Sequence, residues 1–289
     1  MIIKKHRAGV EPCFRQAKRP AIFKPSHDHQ RPNLKMVVGA TYYPKRNPDK
    51  PQGEDSYFVC THRNAVGVAD GVGGWSRKGI DAGQYSRELM QNALFSAVRQ
   101  PKGSINPRTV LDEAFDNTKS QGSSTACIAT LKKNPMKKYY FLHAVNVGDS
   151  GFMLFRKNKL VFRSPTQQHE FNRPYQLGNG KNSDTPEKAE EFAVKVESGD
   201  IVVFGTDGVF DNVYPREIER YIQLSCEDDD DKVTPEELAW LIAEVAQCNS
   251  RNRLGETPFS EASRKAGKKF AGGKIDDITV LVAYIVPAC

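Results

Sequence analysis

The sequence lacks several features that would define its class at once. It has no apolar run approaching the roughly 20 residues that cross a bilayer, so no transmembrane helix is expected. Internal repeats are missing as well, which excludes solenoid and propeller arrays. Six cysteines are present but scattered, and no two have a CxxC spacing. A structural zinc site and a disulfide framework are therefore not expected, and reduced thiols in a reducing compartment fit best.

Acidic residues are scarce in the first 35 residues, which contain nine Lys and Arg residues but only two acidic residues. The remainder of the 289-residue chain is balanced in charge, so the net charge of +7 belongs to this segment. A basic groove for nucleic acid is therefore not expected in the body. We predict a basic tail over 1–35 and a folded domain over 36–289. The composition leaves open whether the tail is a solvated arm or a targeting segment.

The body alternates strand and helix patterns, and this predicts an α+β fold. Many β-branched runs are neighbours in sequence, which favours antiparallel pairing. We therefore predict a four-layer α/β/β/α sandwich, with two antiparallel central sheets flanked by helices. Candidate strands are 56–60, 65–70, 124–131, 139–150, a hairpin over 151–164, 191–196, 200–207 and 278–286. Candidate helices are 81–98, a helix opening at Asn106-Pro107, and a helix with the capping pair Thr234 and Glu237.

Carboxylates recur at the ends of these strands. One Asp-Gly step is ordinarily a turn signal, but five such sites on one sandwich would bring several carboxylates together. Their repulsion requires cations, and a set of oxygen ligands favours Mg²⁺ or Mn²⁺ over zinc. The segments are GEDSYFV (53–59), GVADGVGGW (67–75), NVGDSG (146–151), VVFGTDGVFD (202–211) and GKIDDITVLV (273–282).

In this order, these segments resemble the metal-dependent serine/threonine phosphatases of the protein phosphatase 2C family, over roughly residues 36–286. GEDSYFV and GVADGVGGW are most similar to the branch that contains mitochondrial matrix phosphatases and their fungal and plant relatives. The resemblance implies a catalytic domain that hydrolyses phosphoserine and phosphothreonine in proteins. It also implies phosphoprotein substrates, a monomer, and a mitochondrial matrix location, with the cytosol as the alternative.

The resemblance further implies a metal site. Asp70 would bridge two Mg²⁺ or Mn²⁺ ions, and the backbone carbonyl of Gly71 would bind one of them. Asp207 and Asp276 would complete the second site, and Asp149 with Asp207 would hold a weaker third ion. In the DD pair of DDITV, the first acid is assigned as the ligand, and the second takes a position that the family often fills with asparagine.

The catalytic residues implied by the resemblance are Glu54, Asp55, Asp70 and Asp207. Glu54 would act through water molecules on the ions, with Asp55 supporting the site. A hydroxide shared by the two ions would attack phosphorus directly, without a covalent phosphoenzyme. Lys50 stands where the family often has a phosphate-binding arginine, and Val72 stands where it often has a histidine that can act as a general acid.

Two other functions fit the same motifs. The first is a pseudophosphatase, in which the fold serves as a binding module; loss of the metal ligands would favour it, but the core acids are present. The second is a metallohydrolase of small phosphate esters, because substrate choice depends on surface segments. The polar segments 163–178 and 179–188 are candidates for a flap over the site.

Overall fold

A computed structural model describes residues 33–136, 139–181, 183–225 and 233–288. Within these ranges the chain forms fourteen strands and six α-helices. The strands are β1 (Leu34–Tyr43), β2 (Asp55–Cys60), β3 (Ala65–Asp70), β4 (Ser123–Ser124), β5 (Ala126–Lys133), β6 (Tyr140–Val147), β7 (Gly151–Arg156), β8 (Lys159–Arg163), β9 (Gln168–Glu170), β10 (Arg173–Pro174), β11 (Leu177–Gly178), β12 (Glu190–Val196), β13 (Ile201–Gly205) and β14 (Ile278–Pro287). The helices are α1 (Ala82–Arg99), α2 (Pro107–Asn117), α3 (Asp207–Phe210), α4 (Pro215–Leu224), α5 (Pro235–Arg251) and α6 (Pro258–Lys265).

Two five-stranded sheets form the centre of the described part of the chain. The first has the order β1-β14-β13-β7-β8, and the second has the order β12-β6-β5-β3-β2. Every neighbouring pair in both sheets is antiparallel. The short strands β9 and β10 form a hairpin outside the sheets, and β11 pairs with β4. The predicted antiparallel pairing is confirmed.

Three buried apolar clusters define four layers. One cluster lies between the second sheet and the helices α1 and α2. Another fills the space between the two sheets and includes Val68 and Phe204. The third joins the first sheet to α3, α4 and α5. Helices therefore cover the outer face of each sheet, which confirms the predicted α/β/β/α sandwich.

Local signals at the helix starts act as predicted. Asp81 caps α1 and accepts a hydrogen bond of 3.0 Å from the Gly83 N–H. Thr234 and Glu237 form a capping box at the start of α5. The predicted strand 124–131 is interrupted at Thr125, which separates β4 from β5. None of the described helices combines the length and apolar content required to span a bilayer.

The strand β1 is not among the strands predicted from the sequence. It pairs along its whole length with β14, from Leu34 opposite Pro287 to Tyr43 opposite Ile278. A Cβ atom on Gly39 would lie 2.1 Å from the backbone nitrogen of Glu236, so the first turn of α5 packs directly on this strand. The strand begins two residues before residue 36, the start predicted for the domain. Most of the basic tail and the acidic run 227–232 lie outside the described residues.

Candidate metal centre and active site

Three of the predicted carboxylates meet at one end of the sandwich. Asp70 ends β3, Asp149 lies in the turn between β6 and β7, and Asp207 begins α3 after β13. One carboxylate oxygen from each lies within 4.8 Å of the others. The end of β3 is held by Thr125, whose hydroxyl accepts a 3.0 Å hydrogen bond from the Asp70 N–H. The topology therefore brings together residues that are up to 137 positions apart in sequence.

The chemistry of this cluster fits a hard divalent cation. The Oδ1 atoms of Asp149 and Asp207 are buried and have no hydrogen-bond partner among the described residues. Burial, and then repulsion by Asp207, raises the pKa of Asp70 well above its ordinary value. Burial and Asp207 raise the pKa of Asp149 in the same way. Buried carboxylates with unpaired oxygens gain most from a cation bound by oxygen ligands, such as Mg²⁺ or Mn²⁺.

Gly71 allows a close approach of backbone segments beside the cluster. Its N–H donates a 3.0 Å hydrogen bond to the carbonyl oxygen of Glu54. A Cβ atom at this position would lie 2.5 Å from that oxygen and 2.8 Å from the carbonyl oxygen of Ala82. Any side chain would therefore displace either β2 or the start of α1. The glycine after Asp70 is a packing requirement of the site.

Glu54 and Lys50 lie together at the edge of the cluster. The Lys50 ammonium donates a 2.6 Å hydrogen bond to Glu54 Oε1 and another of 2.6 Å to Ser76 Oγ. Glu54 is only 4% exposed, and its backbone N–H donates to Asp277 Oδ2 at 3.1 Å. The Lys50 ammonium thus holds the Glu54 carboxylate, and Asp277 holds the Glu54 backbone. The structure brings both of these predicted residues to the site.

Asp55 has a different position, between the two sheets. It lies on β2 and is 2% exposed. Its Oδ2 accepts hydrogen bonds from the hydroxyls of Thr206 at 2.8 Å and Thr279 at 2.7 Å. Burial and the nearby Asp277 carboxylate raise the pKa of Asp55, although these two hydroxyls lower it in part. Asp55 therefore joins the site ends of the two sheets, and the two threonines were not identified from the sequence.

The two acids of DDITV have distinct surroundings. Asp276 forms ion pairs with the Lys45 ammonium at 2.9 Å and with the Lys274 ammonium at 3.3 Å. Asp277 instead accepts backbone N–H groups, from Lys45 at 2.8 Å and from Glu54. Burial raises the pKa of Asp276, but Lys274 and Lys45 together lower it by more, so the net shift of the pKa is downward. Asp276 therefore contacts lysine ammonium groups, whereas Asp277 holds the backbone around the site.

Lys274 is the main site residue that sequence reasoning missed. Its ammonium contacts Asp207, Asp211 at 3.0 Å and Asp276 at 3.3 Å. Burial lowers its pKa, but these carboxylates raise the pKa well above the ordinary value for lysine. Lys274 thus neutralises part of the negative charge of the cluster. No pattern in the sequence marks it, because a lysine in a glycine-rich loop has no characteristic spacing to its partners.

The predicted flap contacts the site through a short chain of hydrogen bonds. Trp75 Nε1 donates to Ser123 Oγ at 2.6 Å, and Ser123 Oγ donates to Gln176 Oε1 at 2.5 Å. The Ser123 carbonyl accepts the Val72 N–H at 2.9 Å. Gln176 is also held from the flap side, since its N–H donates to Asp184 Oδ2 at 3.0 Å. The predicted flap segments 163–178 and 179–188 are thereby connected, through Gln176 and Asp184, to the strand end that carries Asp70.

Comparisons with known proteins agree with this geometry. The chain is 37% identical over 270 residues to Probable protein phosphatase 2C 26 of Arabidopsis thaliana, covering 89% of this chain and 86% of that protein. The chain belongs to the protein phosphatase 2C family. It is also 48% identical over 252 residues to Probable protein phosphatase 2C 55 of Arabidopsis thaliana, covering 87% of this chain and 52% of that protein. The chain thus spans about half the length of this relative. No family model matches the chain.

Solved structures of the protein phosphatase 2C fold superpose on the chain. The X-ray structure of the photosystem II phosphatase PBCP has 32% sequence identity and a TM-score of 0.76, covering 86% of this chain and 98% of that one. The catalytic domain of the serine threonine protein phosphatase PstP, solved in complex with 2 manganese ions, has a TM-score of 0.57. It is 16% identical over 88% of this chain and 100% of its own, and so supports the fold alone.

Proposed function

We propose that this protein phosphatase 2C family member hydrolyses phosphoserine and phosphothreonine in proteins with the help of bound Mg²⁺ or Mn²⁺. The observation that carries the proposal is the convergence of Asp70, Asp149 and Asp207 within 4.8 Å, with buried and unpaired oxygens on two of them. A binding module that had lost catalysis would have no need to retain buried carboxylates in this arrangement.

All the ligands that this role would take from the chain are oxygen atoms. Asp70 and the Gly71 carbonyl would hold one ion, and Asp70 with Asp207 and Asp276 would hold the second. Asp149 with Asp207 would hold a weaker third. The contacts of the DDITV pair support this choice, because Asp276 shares the Lys274 ammonium with Asp207, whereas Asp277 accepts backbone N–H groups from Lys45 and Glu54. When bound, the ions would lower the pKa of a shared water and neutralise charge on the phosphoryl oxygens.

The remaining site residues would bind and orient the substrate. Lys50 brings a positive charge to the edge of the cluster, where it can contact a phosphoryl oxygen of the substrate. Glu54, held by Lys50 and by its own backbone contacts, can accept a proton from a neighbouring water. Asp55 fixes the distance between the two sheet ends through Thr206 and Thr279. Together these residues would place the phosphate ester at the acidic cluster.

The first test is hydrolysis of p-nitrophenyl phosphate and of a phosphothreonine peptide by the full chain. We expect no turnover after treatment with EDTA, and recovery when Mn²⁺ or Mg²⁺ is added, since the ligand set is made of oxygen atoms alone. Activity that persists after complete chelation would contradict the proposal. Recovery with Zn²⁺ alone would contradict the ligand argument.

We also propose a mitochondrial location, which rests on the likeness of GEDSYFV and GVADGVGGW to the mitochondrial matrix branch. The basic tail would act as the targeting segment. A fluorescent fusion of the full chain should then co-localise with mitochondria, whereas a fusion lacking residues 1–31 should not. This truncation keeps β1 intact, because the strand begins at Leu34. The same distribution for both fusions would remove the targeting role of the tail.

A further inference from the structure

A cavity of about 460 Å³ opens beside the strand end that carries Asp70. We call it the basic pocket. Its lining includes three cations, and none of its described lining residues is acidic. This composition differs from that of the metal cluster, which is dominated by carboxylates. The residues that define the basic pocket are Val72, Trp75, Lys78, Arg173, Gln176 and Lys181.

The floor of the basic pocket is ordered by contacts with the rest of the site. The indole of Trp75 is fixed by the hydrogen bond from its Nε1 to Ser123 Oγ. The Lys78 ammonium lies 4.7 Å from the centre of this ring, within the range of a cation–π interaction. On the flap side, Gln176 accepts a hydrogen bond from the same serine. The positive charge of Lys78 is therefore presented on a rigid aromatic surface.

One hydrogen bond links the helical turn that lines the basic pocket to the place proposed for the substrate phosphate. Lys50, which would contact the phosphoryl group, is hydrogen-bonded to Ser76 at 2.6 Å. Ser76 lies between Trp75 and Lys78 on the short helical turn Gly73–Lys78. A phosphorylated side chain at the cluster would thus place the adjacent part of its peptide near this turn. Negative charge on that part of the peptide would complement the cations of the basic pocket.

We propose that the basic pocket binds acidic side chains of the protein substrate next to the phosphoserine or phosphothreonine. The inference rests on the proposed phosphatase function and gives it a substrate class, namely phosphopeptides with Asp or Glu beside the phosphorylated residue. Lys78 contributes charge from the helical turn, and Lys181 contributes charge from the flap. Arg173 adds a third charge from the flap, although it is also paired with Glu170 at 3.2 Å.

The test compares three phosphopeptides that share one phosphothreonine and differ in the flanking residues, which are Asp/Glu, Asn/Gln or Lys. For the unmodified chain, we expect kcat/KM to be roughly tenfold higher for the acidic peptide than for the neutral one. Two or three exposed ion pairs of up to ~1 kcal/mol each supply a factor of this size. The preference should appear mainly in KM. It should shrink as salt is raised well above 0.1 M, where the Debye length is about 10 Å.

The double variant Lys78→Met/Lys181→Met should reduce the ratio of acidic to neutral kcat/KM to about one. Lys102→Met is the matched control, because this exposed lysine lies beyond the far end of the 18-residue helix α1. The control should retain the full preference. Wild-type ratios within twofold of one would overturn the proposal. An equal loss on all three peptides in the double variant would also overturn it, since this would indicate general damage.

A binding measurement separates this inference from the proposed function. If no substrate is turned over, the phosphatase proposal fails, and fluorescence anisotropy of the same labelled peptides still reports on the basic pocket. Tighter binding of the acidic peptide, lost in the double variant and kept in Lys102→Met, would support the pocket. Equal binding of acidic and neutral peptides would overturn it.

Discussion

The variant Asp207→Asn should lower kcat by about 10³-fold or more while the protein stays folded. Asp207 has one oxygen in the carboxylate cluster, and its Oδ1 is buried without a partner among the described residues. An amide of the same size keeps the volume but removes the charge that a divalent cation requires. Loss of a metal that stabilises charge in the transition state costs several kcal/mol, and each 1.36 kcal/mol is a factor of ten in rate.

The measurement is hydrolysis of p-nitrophenyl phosphate at saturating Mn²⁺, with the circular dichroism spectrum as the test of folding. Asp116→Asn is a suitable control, because this carboxylate is exposed near the end of α2. It should retain full activity. If Asp207→Asn kept more than a tenth of the wild-type rate, Asp207 would have no role as a ligand. Direct counting of bound Mn²⁺ gives a second readout, since the variant should bind fewer ions.

The variant Lys274→Met should lower the thermal midpoint of the metal-free protein by roughly 10 °C. The lysine ammonium contacts three carboxylates, and its side chain is only 16% exposed. Removing one partner of a buried ion pair costs about 3–5 kcal/mol, because the remaining charges are left uncompensated. In a domain of this size, each 1 kcal/mol corresponds to about 2–4 °C.

Bound Mn²⁺ should reduce this loss, because the cation supplies positive charge to the same carboxylates and stabilises the folded state. The midpoint is measured for wild type, Lys274→Met and Lys268→Met, each with EDTA and with Mn²⁺. Lys268 is exposed in the same loop and serves as the control. An equal loss under both conditions would show that Lys274 acts by packing alone. No loss in EDTA would show that it does not balance the carboxylates.

Most of the sandwich follows from local sequence patterns. The apolar run 65–70 is the strand Ala65–Asp70, and the run 278–286 extends by one residue to Ile278–Pro287. The strand β1 was missed although it is ten residues long. Its position depends on β14, which lies more than 230 residues away in sequence, and on the α5 backbone packed against Gly39. Long-range pairing of this kind leaves no local signal.

The metal-centre carboxylates were easier to predict than the residues that balance them. Asp70, Asp149 and Asp207 each follow an apolar strand and adjoin a glycine, so the pattern is visible in the sequence. Lys274 and Asp211 have no such pattern, and their contact exists only because the end of the first sheet brings α3 near the loop before β14. Motifs identify groups at strand ends, whereas loop-to-loop ion pairs depend on tertiary structure.

The position of β14 between β1 and β13 has a consequence for the biosynthesis of the protein. This strand lies between β1 and β13, directly follows Asp277 and carries Thr279, whose hydroxyl donates a hydrogen bond to Asp55. During translation, β1 emerges from the ribosome long before its partner. The first sheet cannot close, and Asp276 and Thr279 cannot reach Lys274 and Asp55, until residues 276–287 have been released. We therefore expect a nascent chain to stay inactive until almost all of the described sequence has been made.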